Sequence, residues 1–228
     1  MNDVLTVSEQ RFEASEVASL SSREEGLRAR RYVNGHQLTT KEKAVLAKRG
    51  QPTVVINRIR RKIDWLLGLE IKQRTDPKAF PRTPKHQGDA EAVTDAIRFV
   101  CDECEFDAVR SESYSEMLVE GYGAAEVIHK KNKMGEIDIK VNHYPWDRTF
   151  FDPYSRKSDF SDARYKGVVM WEDATDLVAQ HPSLRNLIDT MHSNAGPYSV
   201  YDDRPNMTWY DANRKRVRVV LIWYKEED

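Results

Sequence analysis

Residues 49–70 read RGQPTVVINRIRRKIDWLLGLE, and the succession of residue types in this stretch decides the fold class. Just upstream, Thr39-Thr40-Lys41-Glu42 has the form of a capping box, in which a threonine and a glutamate satisfy the first free amides of a helix. Ala44, Val45 and Ala47 carry a short helix away from it, Gly50 offers the left-handed residue that closes it, and Pro52 forbids its continuation. Thr53-Val54-Val55-Ile56 is a β-branched run of strand length, and Asn57 is a good N-cap for the next element. A helix is predicted from Arg58 to Leu67. Ile59, Ile63, Leu66 and Leu67 recur on one face of it, while Arg58, Arg61 and Trp65 fall on another. Beside the plain reading of that second face as solvated, three uses stand open: a cation–π pair, a nucleic-acid contact or a subunit contact.

Working outward, the chain reads as α+β. Residues 7–31 form a charged, helical arm whose apolar residues Phe12, Val17, Leu20 and Leu27 are weakly spaced, so a neighbour is expected to order it. A strand is predicted at Leu69–Arg74, followed by an extended loop over 75–87 that contains Pro77, Pro81 and Pro84. Ala90, Val93, Ala96, Ile97, Val100, Cys101 and Cys104 then keep a helical core stripe, and a second helix over 107–120 completes a helical hairpin.

From Ala124 the period becomes two. Residues 124–131 and 136–142 flank the turn Asn132-Lys133-Met134-Gly135 and predict a β-hairpin. Strands are expected at 148–151 and 166–171, helices at 174–180 and 183–191, and a polar, mobile loop at 192–205. A last hairpin, 208–210 into 216–224, is read as ending the chain with no partner strand after it.

Composition points to a soluble intracellular protein. The chain has 228 residues, 39% of them hydrophobic, and a mean hydropathy of -0.72. No apolar run reaches the about 18 residues of a membrane span, and no signal peptide is read at the start. The net charge of -1 conceals segregation. Residues 41–74 hold ten Lys/Arg against three Asp/Glu, whereas residues 89–126 hold eleven acids against two arginines. Either these faces are solvated and pair within one subunit, or a basic face of one copy meets an acidic face of the next, head to tail.

The motifs that could carry chemistry are weak. Cys101-Asp102-Glu103-Cys104 is a lone CxxC on the apolar stripe, so both thiols are read as small core residues rather than zinc ligands or a redox pair. Gly121-Tyr122-Gly123 follows a helix and precedes a strand, the wrong order for a dinucleotide cradle, and reads as a helix C-cap with close packing behind it. His143, Asp147, Asp152 and Asp159 form the one dense acid/histidine cluster, yet their spacing suits turns and sheet edges better than a metal site. Asp173 and Asp176 read as helix N-terminal charge. No catalytic, metal or cofactor residue is assigned, and no cofactor is expected.

Basic residues remain. Arg58, Arg60, Arg61 and Lys62 with Trp65 on the first basic helix, and Arg214, Lys215, Arg216 and Arg218 on the last hairpin, could touch phosphates by charge alone. Arg58, Arg61, Lys62, Trp65, Arg214 and Arg216 are therefore the candidate DNA- or subunit-contact residues. Ordinary solvated side chains or intersubunit ion pairs explain the same pattern.

The order Gly35-His36-Gln37-Leu38-Thr39, Lys48-Arg49-Gly50-Gln51-Pro52, Ile56-Asn57-Arg58-Ile59 and Trp65-Leu66-Leu67-Gly68 resembles the N-terminal part of P22-like portal proteins of tailed bacteriophages. Asp76-Pro77, Pro81-Arg82-Thr83-Pro84, Glu120-Gly121-Tyr122-Gly123, Phe151-Asp152-Pro153 and Ser161-Asp162-Ala163 follow in a similar order, so the resemblance spans about residues 32–175. It implies a non-enzymatic structural subunit, the N-terminal part of a longer chain. Such subunits form a homo-oligomeric ring, usually a dodecamer, at one capsid vertex, through which double-stranded DNA is packaged and ejected. The implied partners are the terminase large subunit, capsid and scaffold proteins, tail adaptor proteins and non-specifically held DNA, with no membrane. The implied location is the virion, with host cytoplasm during assembly. The expected organisation is an N-terminal helical arm over 1–35, a wing-like α+β core over 36–193, and a mobile loop and terminal hairpin over 194–228, cut short relative to the family. Two other readings are a free nucleic-acid-binding module built on the basic patch and a metal-dependent nuclease built on His143–Asp159.

Overall fold

The computed structural model describes residues 2–131, 135, 137–194 and 209–225. Helices and antiparallel sheets are mixed along the chain, an α+β fold. Two compact units divide it, one made of residues 1–21 with 147–228 and the other of residues 22–146. Helix α1, Asn2–Val33, contributes its first part to one unit and its second part to the other.

The first unit is a four-stranded antiparallel sheet with the strand order β3-β4-β6-β5. Its strands are β3 (Thr149–Phe151), β4 (Tyr165–Asp173), β5 (Tyr210–Asp211) and β6 (Arg216–Tyr224). Strand β6 pairs with β4 over nine positions, from Tyr165 opposite Tyr224 to Asp173 opposite Arg216. The terminal hairpin thus finds its partner upstream, in β4, rather than after itself. The sheet is covered on both faces, and alternation along β6 shows how. Val220 and Ile222 pack with Phe12, Phe150, Tyr165 and Val169 under α1. Val217 and Val219 point the other way, to Ala174, Leu177 and Ile188. Ala174 and Leu177 belong to helix α6 (Ala174–Gln180) and Ile188 to helix α7 (Arg185–Asn194). Asp173 caps α6 by accepting the Thr175 amide at 2.8 Å, as its position before the helix predicts. Residue Phe12, from the weakly patterned arm, is 4% exposed and sits edge-on to Phe150 with ring centres 5.0 Å apart.

The second unit contains α2 (Thr40–Lys48), α3 (Arg58–Lys72), α4 (Gln87–Glu103), α5 (Phe106–Glu120) and a hairpin of β1 (Ala124–Lys131) with β2 (Ile137–Tyr144). The capping box at Thr39 is formed in full. At the other end of α2, Gly50 at φ 66° donates to Ala47 and Gln51 donates to Leu46, the paired bonds of a Schellman motif. Asn57 caps α3 by accepting the Arg60 amide at 3.1 Å, and its amide nitrogen donates to the Val33 carbonyl at 2.7 Å. The predicted helical hairpin and β-hairpin are both present; residues 132–134 of the β-turn lie outside the described residues, as do residues 195–205 of the expected mobile loop.

Two predicted strands are absent. Among the described residues Thr53–Ile56 pairs with no other strand, and Val54 and Ile56 are 71% and 75% exposed. Its β-branched composition favours extended backbone, but a strand needs a neighbour to bond. Leu69–Arg74 is not a strand either, because α3 runs through Gly68 to Lys72. Leu69, Glu70 and Lys72 are good helix formers, and a single glycine costs only about 1 kcal/mol. The α4 stripe also departs from expectation. The one buried residue of α4 is Thr94, which is not on the stripe, while Val93 and Ile97 of the stripe remain 49% and 39% exposed.

Candidate functional site

The Glu120–Gly123 segment shows how the second unit positions its parts. Gly121 ends α5 at φ 99°, a left-handed conformation that L-residues avoid, and donates to the Met117 carbonyl. Gly123 lies so close to α5 that a Cβ there would collide with the Ser113 carbonyl. The glycines are a cap and a close approach, as read from the sequence. Tyr122 in between donates its hydroxyl to the Trp146 carbonyl at 2.9 Å.

The acid/histidine residues are used structurally, one by one. His143 Nε2 lies 3.1 Å from Glu116 Oε2 and its Nδ1 lies 3.4 Å from Glu112. Asp152, buried, accepts the amides of Tyr154 at 2.9 Å and Arg164 at 3.2 Å. Asp159 accepts the Ser161 amide at 3.1 Å, and these bonds hold its carboxyl below the usual range. Asp147 sits in the 3-10 turn Trp146–Arg148. Among the described residues no group of three or more His, Cys, Asp or Glu is arranged to hold a metal. Cys101 and Cys104 are free thiols. Burial pushes the Cys101 thiol up, away from the reactive thiolate, and Cys104 donates to the Ile139 carbonyl at 3.1 Å.

The basic candidates separate into two groups on different units. On α3, Arg58, Arg61, Lys62 and Trp65 fall at i, i+3, i+4 and i+7 and share one exposed face, with Trp65 66% exposed. Arg58, Arg61 and Lys62 make no side-chain hydrogen bond or ion pair among the described residues. Arg60 lies off this face and pairs with Asp64 at 2.9 Å. The far end of α3 is committed to α5: Glu70 bonds Arg74 at 3.0 Å and Arg110 at 3.1 Å, and Arg74 reaches Asp107 at 3.2 Å. The bond from Arg74 draws the Glu70 carboxyl below its ordinary value. Part of the charge segregation is thus neutralised inside one chain, while Arg58, Arg61 and Lys62 keep no such partner among the described residues.

In the first unit, Arg216 donates to the Trp171 carbonyl at 3.0 Å, and the Arg214 backbone amide bonds Asp211 at 3.2 Å. Arg218 is no surface residue at all. It is 4% exposed, its guanidinium lies 5.2 Å from the Phe12 ring centre and 5.1 Å from that of Trp209, and it pairs with Glu16 at 3.1 Å. It therefore drops out of the polyanion candidates and becomes a core residue. The signal was its place on a strand covered on both faces, which needs the pairing of β6 with β4 to be seen.

The model of the phage P22-like portal protein family matches residues 9–228. The chain belongs to that family. A portal protein of Helicobacter pylori bacteriophage KHP30 is 20% identical to it over 209 residues, which are 91% of this chain and 31% of that protein. This portal-family chain thus spans about a third of the length of the curated relative it matches. The family is one of structural proteins of phage particles. No helix among the described residues is long and apolar enough to cross a membrane.

Proposed function

We propose that this chain is part of a structural portal subunit, one of a ring of identical copies at a capsid vertex through which double-stranded DNA enters and later leaves. The family match over residues 9–228 carries this reading. In it the chain does no chemistry. The subunit supplies shape and contacts, while a terminase ATPase supplies the work, and capsid, scaffold and tail adaptor proteins dock on the assembled ring. The ring is usually of twelve, and assembly takes place in the host cytoplasm before the vertex is built into the virion. Residues 36–193 form the wing-like core, with residues 1–35 as an N-terminal arm and 194–228 as a terminal segment. DNA is held only through charge, because tight or sequence-specific contact would stall its passage.

The physical support is the distribution of exposed groups. A row of Arg58, Arg61 and Lys62, without ion pairs among the described residues, around an exposed Trp65 is what a subunit surface or a weak phosphate contact needs. Electron microscopy of the purified protein tests the reading: closed rings with a central opening wide enough for duplex DNA are expected. Compact particles without an opening, or single chains bound along DNA, would replace it with the nucleic-acid-binding alternative.

A further inference from the structure

The second unit is short of a core. Among its described residues Trp146 is the one buried hydrophobic side chain, whereas Val54, Ile56, Trp65, Phe80 and Phe99 are all at least 66% exposed. A unit of this size ordinarily encloses many apolar side chains, so its faces are those of a piece completed by another surface.

Two of these faces are complementary. On α3, Arg58, Arg61, Lys62, Trp65 and Lys72 make an exposed basic stripe about 21 Å long with an aromatic in the middle. On α4, Glu91, Asp95, Phe99 and Asp102 fall at i, i+4, i+8 and i+11 and make an exposed acidic stripe about 16 Å long, again with an aromatic inside it. Trp65 is 66% exposed and Phe99 68%. Neither stripe is spent within the chain. Beyond a 3.5 Å contact from Gln87 to Glu91, their charged side chains make no hydrogen bond or ion pair among the described residues.

We propose that the α3 stripe of one copy docks on the α4 stripe of a second copy of this chain, with Trp65 and Phe99 as the apolar centre and the charges as the rim. This rests on the portal-ring reading and assigns the lateral contact of that ring. A buried aromatic centre with a charged rim is the usual anatomy of a specific interface. The two stripes lie on different helices, so the contact is heterologous: each copy offers α3 to one neighbour and α4 to the other, and a fixed rotation per copy closes the chain of contacts into a ring.

The decisive experiment mixes two charge-reversed variants, each measured in the full chain by sedimentation velocity. Arg58→Glu/Arg61→Glu/Lys62→Glu makes both stripes acidic, and Asp95→Lys/Asp102→Lys makes both basic. The parent chain is expected to self-associate, and each variant alone to associate at least about tenfold more weakly because like charges meet at every junction. An equimolar mixture recovers, since every acidic copy then has basic neighbours on both sides. Trp65→Ala, which changes no charge, weakens association of the parent. The pairing is overturned by a parent that stays monomeric, by variants that associate as the parent does, or by a mixture that fails to recover. Closed rings that survive both reversals remove this contact and leave the portal reading standing. Association that obeys the mixing rule without building a ring removes the portal reading instead.

Discussion

The carboxylate of Glu116 accepts the backbone N–H of Trp146 at 2.9 Å. The same oxygen lies 3.1 Å from His143 Nε2, and Arg30 approaches the other oxygen at 3.8 Å while also pairing with Glu120. Burial pushes the Glu116 carboxyl up, against the pull of His143, the Trp146 amide and Arg30. One side chain thereby ties α1, α5 and the end of the β1–β2 hairpin within the second unit, where apolar burial is scarce. Glu116→Ala is expected to cost about 2–4 kcal/mol, because it strands a buried amide and leaves the cations without their acceptor. Glu116→Gln keeps an acceptor for Trp146 and should cost less. Urea unfolding monitored by tryptophan fluorescence gives both numbers, and equal stability of the Ala variant and the parent contradicts this role.

How much of this was legible in the sequence depended on how local the cause is. The caps at Thr39 and Asn57 and the ends at Gly50 and Gly121 involve a few adjacent residues, and each formed as read. The strand expected at Thr53–Ile56 failed because its partner would have had to come from elsewhere in the chain. Arg218 was placed on the surface because charge suggests exposure, and only the two-sided covering of β6 turns it inward. The spacing reveals the α3 face, but its lack of ion pairs among the described residues, and the matching stripe of Glu91, Asp95, Phe99 and Asp102, emerge only in the folded chain.

Arg218 provides the second prediction. Its guanidinium stacks between Phe12 and Trp209 and bonds Glu16, so a lysine cannot reproduce its planar contacts. Arg218→Lys should lower stability by about 1–2 kcal/mol and Arg218→Ala by about 3 kcal/mol or more, as for other broken buried ion pairs. Thermal unfolding measures this. Full stability of the alanine variant would mean that α1 is not held to the sheet through this residue.

Gly123 and Gly121 should respond to alanine differently. At Gly123 the added methyl meets the Ser113 backbone, which cannot swing aside, and overpacking of this kind costs about 1–3 kcal/mol. At Gly121 there is open space, and the penalty is the left-handed backbone alone, about 1–2 kcal/mol. In the double variant Gly121→Ala/Gly123→Ala the two costs should roughly add. Denaturant midpoints check the order; a Gly123→Ala protein with parental stability would show that α5 is free to move away.

Asp162 sets a pH expectation. It accepts the Ser155 hydroxyl at 2.6 Å and the Arg156 amide at 2.7 Å, and these bonds draw its pKa from 3.8 to about 2. A depressed folded value means that the turn over 155–162 gains stability above pH 3.8 and loses it as the pH falls through about 2. Carbon-detected NMR of the Asp162 carboxyl should therefore show it still ionised at about pH 3. A midpoint at the ordinary aspartate value would contradict the bonding, and Asp162→Asn should loosen the turn above pH 3.8 and matter little below about 2.

The central claim is that copies of this chain close into a ring, and mass photometry counts the copies directly. With a subunit of 26.5 kDa, a closed ring gives one narrow peak at a single integer multiple of that mass, unchanged on dilution over the range where rings persist and weakened by salt. Monomers alone at every concentration, or a ladder of masses with no preferred size, would contradict it.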